Sequence, residues 1–202
     1  GLLPMADLVC DFHSGGRTLD FLPFAASHIL NDKVQEARCD AAVAAFNAPY
    51  TVKMLEIDAV GMFDTAVEES GKTFVTTELR GGGTATANSV RIARRGITNL
   101  MKHIGILEGE PEQGPTSFLD MPSDDCFTFA DTDGILELCF DLGDRVEKGQ
   151  TLARIWPLDR TGTAPAEYPA KLDGLLIARH FPGLTQAGDC LAVVGTAGEA
   201  PG

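Results

Sequence analysis

The stretch Asp7-Leu-Val-Cys-Asp-Phe-His-Ser-Gly-Gly16 decides how the rest of the chain is read. Leu8 to Cys10 is a short apolar run of the kind that forms a buried strand. It gives way to Asp11, His13 and Ser14, then to Gly15 and Gly16. In an open α/β sheet the loops beyond the carboxyl ends of the strands leave a crevice where ligands bind. A histidine at such an end has its backbone held by the sheet and its ring free to face that crevice. Asp11 precedes His13 by two residues, so in a strand both side chains point the same way. A carboxylate beside a metal-binding imidazole fixes its tautomer and raises its basicity. The same pair also suits a core histidine hydrogen-bonded to a neighbour, and this stretch alone does not separate the two readings.

A second stretch has the same design. In Lys72-Thr-Phe-Val-Thr-Thr-Glu-Leu-Arg-Gly-Gly-Gly83, Phe74 to Thr77 are aromatic or β-branched and read as a strand. It ends in Glu78 and runs into three glycines, which let a backbone approach a ligand or turn sharply. Between the two stretches, Arg17 to Phe24 reads as loop and a short irregular strand lining the crevice, and His28 as a solvated loop histidine, with a second site group as the alternative. Asn31 or Asp32 can cap a helix running to about Ala45, with Val34, Ala37, Ala41, Ala44 and Ala45 along its inner face. Tyr50 to Leu55 is a candidate strand, and Gly61 to Glu69 a short helix closed by Gly71. Thr86 to Ile104 predicts a long helix with Val90, Ala93, Ile97, Leu100, Met101 and Ile104 inward and Arg91, Arg94 and Arg95 on a solvated face. Glu108 to Pro115, rich in Glu, Gly and Pro, reads as a linker.

The last third changes character. Short apolar runs separated by turn residues predict an all-β module, and it contains an internal repeat. Asp133-Gly-Ile-Leu-Glu-Leu, Gly143 and Gly149-Gln-Thr-Leu-Ala-Arg-Ile155 match Asp173-Gly-Leu-Leu-Ile-Ala, Gly183 and Gly188-Asp-Cys-Leu-Ala-Val-Val194. This resembles the half-barrel repeat of biotinyl and lipoyl carrier domains, in which a hairpin lysine takes the cofactor. Lys171 stands directly before the second copy and lacks flanking methionines, so it reads as a plain surface lysine.

Composition narrows the function. A formal net charge of -13 argues against nucleic acid or an anionic membrane as partner. No apolar run approaches a membrane span. The five cysteines are scattered with no C-x-x-C pair, which suits free thiols in a cytoplasmic protein. The chain opens Gly-Leu-Leu-Pro, and Leu8 to Cys10 reads as an interior strand needing neighbours on both sides. The expectation is therefore a carboxyl-terminal fragment.

With His13 and Glu78 both in place, the sequence resembles the succinylglutamate desuccinylase and aspartoacylase family, relatives of the zinc carboxypeptidases. Asp11 to Ala25, Glu78 to Ala87 and Ile92 to Gly96 resemble in particular the branch that deacetylates N-alpha-acetyl-L-2,4-diaminobutyrate in ectoine degradation. The resemblance implies an α/β fold. Residues 1–115 would be the carboxyl-terminal part of a zinc-carboxypeptidase-like α/β/α sheet domain, and residues 116–202 a small barrel-like β-domain. It implies one zinc per subunit, with His13 as a metal ligand and Glu78 as general base and acid. Ser14, Gly15 and Gly16 would shape the substrate pocket, and Asp11 would orient His13. The substrate would be a small N-acylated amino acid. The family's early H-x-x-E ligand pair and its substrate-gripping arginine motif do not occur here, so the chain alone is expected to lack activity. Succinyl-glutamate or N-acetyl-aspartate type substrates remain alternatives, as does a non-enzymatic carrier or interaction module, and homo-oligomerisation is left open.

Overall fold

The computed structural model describes residues 1–55, 61–159 and 161–200. The first half alternates strands and helices: β1 (Leu8–His13), β2 (Leu19–Phe21), β3 (Phe24–His28), α1 (Lys33–Phe46), β4 (Tyr50–Met54), α2 (Phe63–Glu69), β5 (Thr73–Glu78) and α3 (Ala87–His103). The second half is all β: β6 (Ser117–Met121), β7 (Phe127–Phe129), β8 (Gly134–Leu138), β9 (Arg145–Val146), β10 (Thr151–Trp156), β11 (Ala166–Pro169), β12 (Gly174–His180), β13 (Leu184–Thr185) and β14 (Cys190–Ala197).

Local chemistry sets the helix boundaries. Asp32 caps α1 by accepting from the backbone N–H groups of Val34 and Gln35. Asn47 ends it in the left-handed conformation. Thr86 and Ser89 form a reciprocal capping box at the start of α3. The inner faces differ from the sequence expectation. In α1 the buried residues are Gln35, Cys39, Ala42, Val43, Ala45 and Phe46, while Val34 is exposed. Alanines lie all round this helix, so their spacing carries little directional information. In α3 the buried side is Ser89, Ile92, Gly96, Asn99 and Leu100, leaving Val90, Ile97 and Ile104 outward. Gly96 sits where a Cβ would lie 2.2 Å from the Phe46 ring, so the two helices cross at close range. Arg95 does not stand on a solvated face. Its Nη2 donates to the Asn47 carbonyl at 2.6 Å.

The main sheet runs β1-β5-β3-β4-β6-β14-β12-β2. β1 and β5 are parallel to each other, β3 is antiparallel to β5, and β3, β4 and β6 are mutually parallel. Helices α1 and α3 pack on one face through Ala25, Val43, Phe46, Val75, Ile92 and Leu100. Short α2 lies on the other, where Phe63 meets Phe74 edge-on. Among the described residues β1 is the end strand and pairs only with β5, so it has a neighbour on one side rather than two. Arg17 to Phe24 is more ordered than its sequence predicts, because β2 pairs with β12 and β3 takes an interior place in the sheet.

The repeat folds as two interlocked copies, β8-β9-β10 and β12-β13-β14. Each copy's two-residue strand pairs with the first strand of the other: β9 with β12, and β13 with β8. The turns match as well. Asp173 accepts from the Lys148 N–H and Asp133 from the Ala187 N–H. A Cβ on Gly134 would collide with the Trp156 carbonyl, and one on Gly174 with the Gly195 carbonyl. The sheet does not break at residue 115, since β6 pairs with β4 and then with β14.

Candidate active site

Parallel pairing in register sets His13 level with Glu78, each the last residue of its strand. Strand alternation then puts Asp11, His13, Thr76, Glu78, Phe24, His28 and Met54 on one face. With Met62, Phe63 and Asp64 at the start of α2, and with Phe21, Met121 and Phe127, they line a cavity of about 260 Å³. A larger cleft of about 430 Å³, lined by Ser27, Asp40, Lys53 and Asp120 among others, contains no histidine. Its lysine is already engaged by Asp40 at 2.6 Å.

Asp11 Oδ2 lies 2.8 Å from His13 Nδ1. That contact holds one ring nitrogen and leaves Nε2 as the donor atom available to a ligand. Glu78 is differently placed. Its Oε2 is buried with no hydrogen-bond partner among the described residues. Burial, and secondarily the negative charge of Asp11, pushes its carboxyl up to about 8. Cys10, on β1 beside Asp11, is pushed up to about 12 by burial and then by Asp11, so it offers no thiolate near neutral pH.

His28 is a correction to the sequence reading. It is 2% exposed, not solvated, and its Nδ1 lies 3.0 Å from Glu68 Oε1 of α2. It forms the floor of the cavity and ties α2 to β3. Ser14, Gly15 and Gly16 do not line the cavity. Ser14 is exposed, and the two glycines instead join the loops that follow β1 and β5. Leu79 N–H donates to the His13 carbonyl, Gly15 N–H to Arg80, Gly82 N–H to Leu19 and Gly83 N–H to Gly16. A Cβ on Gly81 would lie 1.9 Å from the Leu19 carbonyl oxygen, so only glycine fits this junction. Arg80 adopts a left-handed φ of 74° and binds buried Asp20 at 2.7 Å. The glycines are legible in the sequence, whereas Arg80–Asp20 and Asp64 are not, because both depend on contacts made across the fold.

Residues 1–104 match the succinylglutamate desuccinylase/aspartoacylase catalytic domain. The chain belongs to that family. A curated member from Halomonas elongata, N-alpha-acetyl-L-2,4-diaminobutyric acid deacetylase, is 50% identical over the whole of this chain, which spans 59% of that protein's length. The product-bound structure of the ectoine utilization protein EutE (DoeB) from Ruegeria pomeroyi is 60% identical, with a TM-score of 0.93 over 96% of this chain and 60% of that one. A succinylglutamate desuccinylase from Silicibacter sp. TM1040 is 57% identical, with a TM-score of 0.92 over 98% of this chain and 60% of its own. These family members share the α/β architecture described above.

Among the described residues no three potential ligands come together to hold a metal ion. The donor chemistry of the Asp11–His13 pair nevertheless fits one position of a zinc site, since a neutral imidazole held at one nitrogen by a carboxylate presents the other to the metal. Catalytic zinc takes three protein ligands, so His13 would be one of a larger set.

Proposed function

We propose that this chain carries the proton-transferring carboxylate and one metal ligand of a zinc-dependent amide hydrolase that removes an acyl group, acetyl in the first instance, from a small N-acylated amino acid. The observation that carries the proposal is the buried, unpartnered Oε2 of Glu78 in the same cavity as the Asp11–His13 pair. A buried carboxyl oxygen left without a partner is costly in structure and useful in proton transfer. The 50% identity to a curated deacetylase and the 60% identity to EutE (DoeB) support N-alpha-acetyl-L-2,4-diaminobutyrate as the substrate.

The chemistry that zinc supplies when bound is a lowered water pKa and a polarised amide carbonyl. His13 would hold it through Nε2, with Asp11 keeping the ring oriented. Glu78, as carboxylate, takes a proton from the attacking water. The water oxygen bonds to the carbonyl carbon, the C–N bond breaks, and Glu78 returns the proton to the departing amine. Aromatic and methionine side chains line the cavity around the reacting groups.

The test is hydrolysis of N-alpha-acetyl-L-2,4-diaminobutyrate by the zinc-loaded full-length protein and its Glu78→Gln variant. The variant is expected to lose about 10²–10⁴-fold in kcat while keeping its fold and its zinc. Unchanged turnover would remove Glu78 from the chemistry.

A further inference from the structure

We propose that Asp64 is the specificity residue of this cavity, its carboxylate receiving the side-chain ammonium of an N-acylated diamino acid. The inference rests on the hydrolase reading above and assigns the group that selects its substrate class. The lining contains three carboxylate residues, Asp11, Asp64 and Glu78, and no lysine or arginine among its described residues. Two of the three are committed elsewhere. Asp11 Oδ2 holds the His13 ring at 2.8 Å, and Glu78 is the proton carrier. Asp64 stands apart at the start of α2, across the cavity from the sheet. Its Oδ1 accepts from the backbone N–H of Thr65 at 2.6 Å and from the Thr65 hydroxyl at 3.4 Å. Its Oδ2 has no hydrogen-bond partner among the described residues, so one oxygen is fixed in place and the other is available.

The rest of the lining sharpens the choice. Phe21, Phe24 and Phe127 offer a methylene spacer an apolar bed and offer an ionic group no compensation. A substrate whose side chain ends in a carboxylate would meet Asp11 and Asp64, with no lysine or arginine among the described lining residues to offset the repulsion. An ammonium on a short spacer meets the opposite balance and can donate to Asp64. Discrimination therefore comes from an attractive contact to the cation and from repulsion of the dicarboxylic competitor.

The experiment is calorimetric titration of the zinc-loaded full-length protein at pH 7 with L-2,4-diaminobutyrate and with L-2-aminobutyrate, which differ only in the side-chain ammonium. The wild type is expected to bind the diamino acid at least about 10-fold more tightly, as a charge-assisted hydrogen bond should give. Asp64→Asn should bring that ratio close to one, and Asp64→Glu should restore part of it. A merely structural role for Asp64 would weaken both ligands and leave their ratio alone. A ratio retained in Asp64→Asn, or no preference in the wild type (a result that needs no variant to fold), would overturn the inference. Should the Asp64-dependent preference hold while no N-acetyl amino acid is hydrolysed, the hydrolase reading falls and the ammonium site stands.

Discussion

A carboxyl that the fold buries without a hydrogen-bond partner must bear the cost of its own ionisation. Glu78 is in that position, with Asp11 adding like-charge repulsion. Its proton affinity rises from an ordinary value of 4.5 to about 8 in the folded protein. Between those two values the unfolded chain has released the proton and the folded protein still holds it. Stability attributable to Glu78 is therefore fully present below pH 4.5, falls as pH rises, and is lost above about 8. Glutamine cannot ionise. In metal-free protein Glu78→Gln should match the wild type near pH 4.5 and exceed it by on the order of 4 kcal/mol above pH 8. Urea unfolding of both proteins at pH 5 and pH 8.5 reads the difference directly. A gap that does not grow with pH would mean that Glu78 is solvated or paired, and burial could not then be the source of its basicity.

At the scale of elements, the site is held by one packing decision on each side of the sheet. On the far side, α1 and α3 approach closely because Gly96 leaves room for the Phe46 ring. Gly96→Ala should lower stability by about 1–3 kcal/mol through overpacking, even though alanine is the better helix former. Thermal unfolding of the variant checks this, and a neutral or stabilising result would show that the Phe46 ring moves aside freely. On the near side, α2 is anchored by the contact between Glu68 and His28. The elements themselves were legible in the sequence wherever the signal is local: Asp32 as a cap, the β-branched run before Glu78, and the glycine-spaced repeat of the last third. Their faces were not. Alanines surround α1, so which side is buried is set by what it packs against. His28 reads as a loop residue because Pro23 interrupts the run before it, and the place of its strand between β4 and β5 depends wholly on pairing with distant segments. The Arg80–Asp20 contact and the position of Asp64 were hidden for the same reason. His13 and Glu78 could be singled out because each closes an apolar run just before glycines, though only the parallel register sets them side by side.

At the scale of the whole molecule, the change of composition near residue 115 is not matched by a separation of cores. Phe21, Phe24, Ala26 and Val52 from the α/β half pack with Leu119, Met121, Ile177 and Val193 from the β half in one buried cluster. The pairing of β2 with β12 and of β4 with β6 closes the backbone ladder across the same seam. Phe21 and Phe24 belong at once to this cluster and to the wall of the candidate site, so the β-module supports the cavity that the other half supplies with Asp11, His13 and Glu78. The two halves should therefore unfold together. The molecule carries its own reporters for this, because among the described residues the three α-helices lie within residues 33–103 and the single tryptophan, Trp156, lies in the β-module. Helical circular dichroism and Trp156 fluorescence should give coincident denaturant transitions. Ile177 is fully buried at the seam, so Ile177→Ala should move both transitions together by about 2–5 kcal/mol. If fluorescence shifts while the helical signal stays where it was, the halves are energetically independent, and substitutions in the β-module should leave the cavity beside Glu78 undisturbed.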